Sequence, residues 1–96
     1  MNYESFVGSL TLVAPDADLT IYLQALWYDA KGDWEKAHTL IQDIEDKTAA
    51  WIHAYLHRKE GDLSNADYWY RKAGKNGTAL SLQEEWENIT KALLSK

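Results

Sequence analysis

"AYLHRKEGDLSNADYWY", residues 54–70, repeats without a gap the pattern of "ALWYDAKGDWEKAHTLI", residues 25–41. At this offset of 29, Ala25 matches Ala54, Gly32 matches Gly61, Asp33 matches Asp62 and Ala37 matches Ala66. Large residues pair as well: Leu26 with Tyr55, Trp27 with Leu56, Trp34 with Leu63, and Ile41 with Tyr70. Self-similarity at a period of about 20–50 residues is the mark of stacked supersecondary units.

Each unit reads as two helices. In the first, Leu19, Leu23 and Leu26 with Ile21, Ala25 and Tyr28 recur at helical spacing. Gly32 then ends the helix, because a glycine tolerates the left-handed conformation that closes a helix C-terminus. Asp33 is placed to cap the next helix through its carboxylate, and Ala37, Leu40, Ile41 and Ile44 supply that helix's apolar stripe. The second unit repeats the scheme with a helix over 48–60, Gly61, Asp62 as cap and a helix over 63–74. The matched alanines mark helix crossings, where a small side chain lets two axes approach closely.

The flanks predict one helix at each end of the stack. Tyr3, Phe6, Val7, Leu10 and Val13 share a helical face, with a strand through "SLTLVA" as the competing reading. Pro15 separates this segment from the first unit. At the other end "KNGT" (75–78) is a turn and "SLQEEWENITKALLSK" (81–96) a closing helix. There Ser81 and Glu84 fit a capping box, and Leu82, Trp86, Ile89 and Leu93 form the buried stripe. The expectation is a single all-α domain over 1–96: unit one at about 17–45, unit two at about 46–75 and a C-terminal helix at about 81–95.

These residues resemble the tetratricopeptide repeat. "GDWEKA" (32–37) and "GDLSNADYWYRKA" (61–73) are similar to its turn and second helix, and "ADYWYRKAGKNGTALS" (66–81) is similar to the related Sel-type repeat. Through "LWYDAKGDWEKAH" (26–38) and "HAYLHRKEGD" (53–62) the chain also resembles small bacterial proteins of this type. Two departures stand out. The period of 29 is shorter than the family's usual value of about 34, which shortens the connection near 45–47, and no proline closes either unit. The resemblance implies a scaffold that presents a groove to a peptide or protein partner. On such a stack the concave side falls to Tyr22, Leu26 and Asp29 from one unit and Trp51, Tyr55 and Arg58 from the other, with packing against the end helices as the competing role.

Composition narrows the function classes. A formal net charge of -5 argues against a nucleic-acid binder. Residues 1–48 carry three Lys/Arg against nine Asp/Glu and residues 49–96 carry seven against six, an asymmetry compatible with head-to-tail self-association. There is no cysteine, so disulfides and thiolate metal sites are absent. No apolar run approaches the roughly 18 residues of a membrane span, and the start lacks the basic residues of a secretory leader. A cytoplasmic protein is expected. Five tryptophans and six tyrosines suit the filling of a small core, with a homodimer face through Tyr68 and Trp69 as a further expectation.

His53 and His57 lie one helical turn apart and so share a face, a spacing that suits a divalent metal. Glu60, or His38 from the neighbouring helix, is the nearest further ligand. Against this, the two histidines fall where the first unit has Gln24 and Tyr28, which are packing slots. The expected function is a non-catalytic interaction module without a cofactor. The alternative is a small-ligand or metal-binding protein, or an enzyme, using His53 and His57 with Arg58 and Asp29. No set of residues reads as catalytic: Ser64 and Ser81 have no organised base, and "GKNG" (74–77) lacks the spacing of a phosphate loop.

Overall fold

A computed structural model of the chain describes residues 1–95. Among them six α-helices and no strand are found: α1 (Tyr3–Gly8), followed by a 3-10 turn (Ser9–Thr11), α2 (Ile21–Ala30), α3 (Trp34–Ile41), α4 (Lys47–Lys59), α5 (Leu63–Lys72) and α6 (Leu82–Leu94). No helix in this range is long and apolar enough to cross a membrane.

The Gly-Asp turns make two helical hairpins, α2–α3 and α4–α5, by the same hydrogen bonds. Gly32 and Gly61 both sit at φ 88°, where a Cβ would be strained. The Asp33 amide donates to the Tyr28 carbonyl and the Gly32 amide to Asp29; equivalently, the Asp62 amide donates to His57 and the Gly61 amide to Arg58. This six-to-one plus five-to-two pattern satisfies carbonyls that a helix end leaves free. Each aspartate then turns round, Asp33 accepting from the Lys36 amide and Asp62 from the Asn65 amide. Asp46 caps α4 through the Ala49 amide, so the connection after α3 is only five residues long. Ser81 and Glu84 form the full capping box of α6.

The core is built from Leu23, Ala25, Leu26 and Trp27 of α2, Ala37 and Ile41 of α3, and Ala49, Ile52, Tyr55 and Leu56 of α4, closed by Phe6, Trp86 and Ile89. Ala54, Ala66 and Tyr70 make a smaller cluster between α4 and α5, the crossing that the alanine spacing predicts.

The N-terminal segment departs from expectation. Its helix stops at Gly8, and Val13, placed on the buried face by spacing, is fully exposed. Ser9 Oγ donates to the Phe6 carbonyl and Thr11 Oγ to the Gly8 carbonyl, an alternative to helical pairing that these side chains favour. Pro15 then disfavours a helical residue before it. The two flanking helices also meet, since Tyr3 and Phe6 pack on Trp86, whereas the expectation set them at opposite ends of the stack.

Candidate metal centre

The short α3–α4 connection lays the last turn of α3 beside the middle of α4. His38 thereby joins His53 and His57, and one ring nitrogen from each lies within 4.8 Å of the others. The His38 and His53 Nε2 atoms are 3.0 Å apart. One ring must donate and the other accept in that contact, so at least the accepting ring is neutral.

Indoles hold the imidazoles in place. Trp34, one turn before His38, stacks on its ring at 4.8 Å and fixes itself by donating from Nε1 to the Leu56 carbonyl. Trp69 of α5 stacks on His53 at 4.0 Å, and the His53 and His57 rings stack at 4.7 Å. His53 is 6% exposed and His57 7%, while His38 is half-buried. The third ring is oriented from behind: His57 Nδ1 lies 2.7 Å from Glu60 Oε1. A proton held on Nδ1 by that carboxylate leaves the lone pair on Nε2, the arrangement that a histidine ligand normally has.

Burial pushes the His53 imidazole down to about 4, with the neighbouring His57 and His38 charges acting in the same direction. Burial, then His57, also lowers His38. Neutral imidazoles are the form that binds a metal. The sign for folding follows: between pH 6.5 and about 4 an unfolded His53 is protonated and the folded one is not, so stability present above 6.5 drains away as the pH falls. A displacement of that size is worth roughly 3 kcal/mol. In chelator-treated protein, urea midpoints at pH 7.5 and 4.5 should differ markedly, and His53→Gln should remove much of the difference. An identical pH slope in that variant would refute this origin.

The remaining residues singled out by sequence lie elsewhere. Asp29 and Arg58 do not meet. Asp29 is buried, accepting from Tyr55 Oη at 2.8 Å and Lys59 Nζ at 2.9 Å. Burial, then the Asp29 charge, raises Tyr55 well above the ordinary tyrosine value, which keeps its hydroxyl a donor. Arg58 pairs with Glu85 Oε1 at 2.7 Å and with the Leu80 carbonyl. Leu26 and Tyr55 are core residues rather than groove walls, because α6 lies over them and Trp86 Nε1 donates to the Leu26 carbonyl at 3.0 Å. Tyr22 hydrogen-bonds Asp46, and Trp51 is half-buried with Lys75 Nζ 4.0 Å above its ring. Trp69 faces the imidazoles, leaving Tyr68 of that pair exposed.

Trp34 and Asn65 are the neighbours that sequence reasoning missed. The four-residue spacing of Trp34 and His38 was the available signal for the first. Asn65 had none, since Lys36 stands at its position in the first hairpin. No protein-family model, no curated protein and no solved structure matches this chain.

Proposed function

We propose that this chain binds a late first-row transition-metal ion through His38, His53 and His57. The observation that carries the reading is the convergence of three imidazole nitrogens, drawn from two helices, within 4.8 Å, with Glu60 orienting one of them. Neutral nitrogen donors suit zinc, copper, nickel and cobalt, whereas calcium and magnesium want oxygen. The gap of 3.0 Å between His38 and His53 is close to the roughly 3.3 Å between donors around a tetrahedral ion with bonds of about 2.0–2.1 Å. In this proposal α2–α3 and α4–α5 are tetratricopeptide-like units, supported by the shared pattern of their turns, and the ion bridges the two.

Calorimetric titration of the chelator-treated protein at pH 7.5 should show one ion per chain, with copper(II) bound more tightly than zinc or cobalt. Glu60→Gln should weaken binding about 10–100-fold, and His38→Ala by more, with the far-UV spectrum unchanged. No heat with zinc, nickel, cobalt or copper, and no competition with a chromophoric chelator, would end the proposal.

The interaction-module reading is supported by a different surface from the one expected. A cleft of about 540 Å3 opens between the α3–α4 connection and α5, lined by Gln42 to Lys47, Ala50, Trp69 and Lys72. It carries charges of both signs beside an indole, a mixture suited to a peptide. A peptide-display selection that cannot distinguish the wild type from Lys72→Glu would remove this reading.

A further inference from the structure

We infer that Asn65 completes the metal centre as its fourth ligand, through its side-chain carbonyl. The inference rests on the three-histidine reading and extends it to the donor set, and so to the class of ion.

Three sides of the imidazole cluster are occupied. Trp34 covers His38, Trp69 covers His53, and Glu60 takes the outer nitrogen of His57. The first turn of α5 supplies the remaining side. Asn65 is anchored there by its backbone amide, which donates to Asp62, and its side chain reaches the cluster: Nδ2 lies 3.4 Å from His57 Nε2. That Nε2 is the atom left with a lone pair once Nδ1 carries the proton shared with Glu60.

The amide is loosely held in this orientation. Its nitrogen has two contacts, to His57 Nε2 and Asp62 Oδ2, and each is 3.4 Å long, at the weak end of hydrogen bonding. The two ends of a carboxamide have nearly the same shape. Half a turn about the terminal torsion therefore exchanges Nδ2 for Oδ1 at little steric cost, giving up the weak contact to Asp62 in return for the ion. Oδ1 then stands about 3.4 Å from Nε2, which is the donor-to-donor edge of a tetrahedron with bonds of about 2.0–2.1 Å. An ion on His57 Nε2 is then within bonding reach of Asn65 Oδ1 at a tetrahedral angle.

Three imidazoles and one carboxamide make a neutral, four-coordinate set. It matches the tetrahedral geometry that zinc(II) and cobalt(II) accept and opposes the tetragonal preference of copper(II), which narrows copper's intrinsic lead in affinity. A neutral oxygen is also the weakest of the four donors, so affinity should respond steeply to its charge.

Cobalt(II) tests this directly, because its visible ligand-field bands are far more intense in tetrahedral than in octahedral coordination. Wild-type protein titrated with cobalt(II) should give the tetrahedral spectrum. Asn65→Leu, of similar size and without a donor, leaves the fourth position to water, so it should shift those bands and bind about tenfold more weakly. Asn65→Asp should keep the bands and bind at least about tenfold more tightly, while Ser64→Asp, which adds the same charge one residue away, should not. An unchanged spectrum and affinity in Asn65→Leu overturns the inference and leaves the three-histidine site standing. So does a Ser64→Asp variant that gains as much as Asn65→Asp. Failure of the wild type to take up cobalt(II) at all removes the underlying reading and this inference with it.

Discussion

Glu85→Ala should lower the free energy of unfolding by about 3–5 kcal/mol, the range seen when one member of a buried ion pair is removed. Glu85 is only 2% exposed in the first turn of α6. Its carboxylate accepts from Arg58 Nη1 on α4 at 2.7 Å and from the Tyr70 hydroxyl on α5. Burial, then the hydrogen bond to Glu85, raises Tyr70 far above the ordinary tyrosine value, so the hydroxyl is a committed donor. Alanine strands this buried hydroxyl and strips Arg58 of its counter-charge. The Arg58 side chain is 22% exposed and keeps the Leu80 carbonyl, which sets the expectation nearer the lower end. Tyr70→Phe should cost about 1–3 kcal/mol, since it leaves one oxygen of the buried Glu85 carboxylate without a donor while Arg58 still holds the other. Urea denaturation at pH 7.5 measures both, and a Glu85→Ala loss below about 1 kcal/mol would show that α6 is not anchored in this way.

The second large loss is expected at Trp27. This indole is almost wholly buried in α2 and heads the fully buried side chains by size. Its ring packs edge-on against Tyr28 at 5.2 Å, and Nε1 donates to Ser9 Oγ at 3.2 Å, tying the N-terminal segment to the first hairpin. Trp27→Ala should destabilise by about 3–5 kcal/mol through lost burial and the cavity left behind. Domains of this size have only about 5–15 kcal/mol in total, so the variant should melt at far lower denaturant. Trp27→Phe keeps most of the apolar contact and should lose only a small part of that. If alanine and phenylalanine cost the same, the hydrogen bond to Ser9 rather than burial carries the stability of this position.

Local chemistry made much of the fold legible. The Gly-Asp turns, the Asp33 and Asp62 caps and the Ser81–Glu84 box are settled within six residues of chain, where hydrogen-bond geometry depends on neighbours in sequence. The N-terminal helix ends earlier than its apolar spacing predicts for a related reason: the hydroxyls of Ser9 and Thr11 compete with the helix, a local effect that apolar spacing does not record.

The candidate site was half legible. His53 and His57 share a face by spacing alone, yet the same spacing reads equally as packing. Glu84 and Glu85 show the limit most clearly. Both are first-turn carboxylates of α6; hydrogen bonds from Ser81 hold Glu84 below the usual range on the surface, while Glu85 is buried between two other helices.

By itself, then, the sequence determined the two matched hairpins and the closing helix with the caps at Asp33, Asp62 and Ser81, because each depends on contacts a few residues apart. Only the tertiary structure decided which faces remain free. Trp86 reaches Leu26 across 60 residues and fills the side where a partner was expected. The five-residue connection after α3 brings His38 to His53 and His57, and α5 brings Asn65. Helix periodicity gives each side chain a direction but leaves open which helix lies opposite, and that neighbour turns two packing histidines into three converging ones.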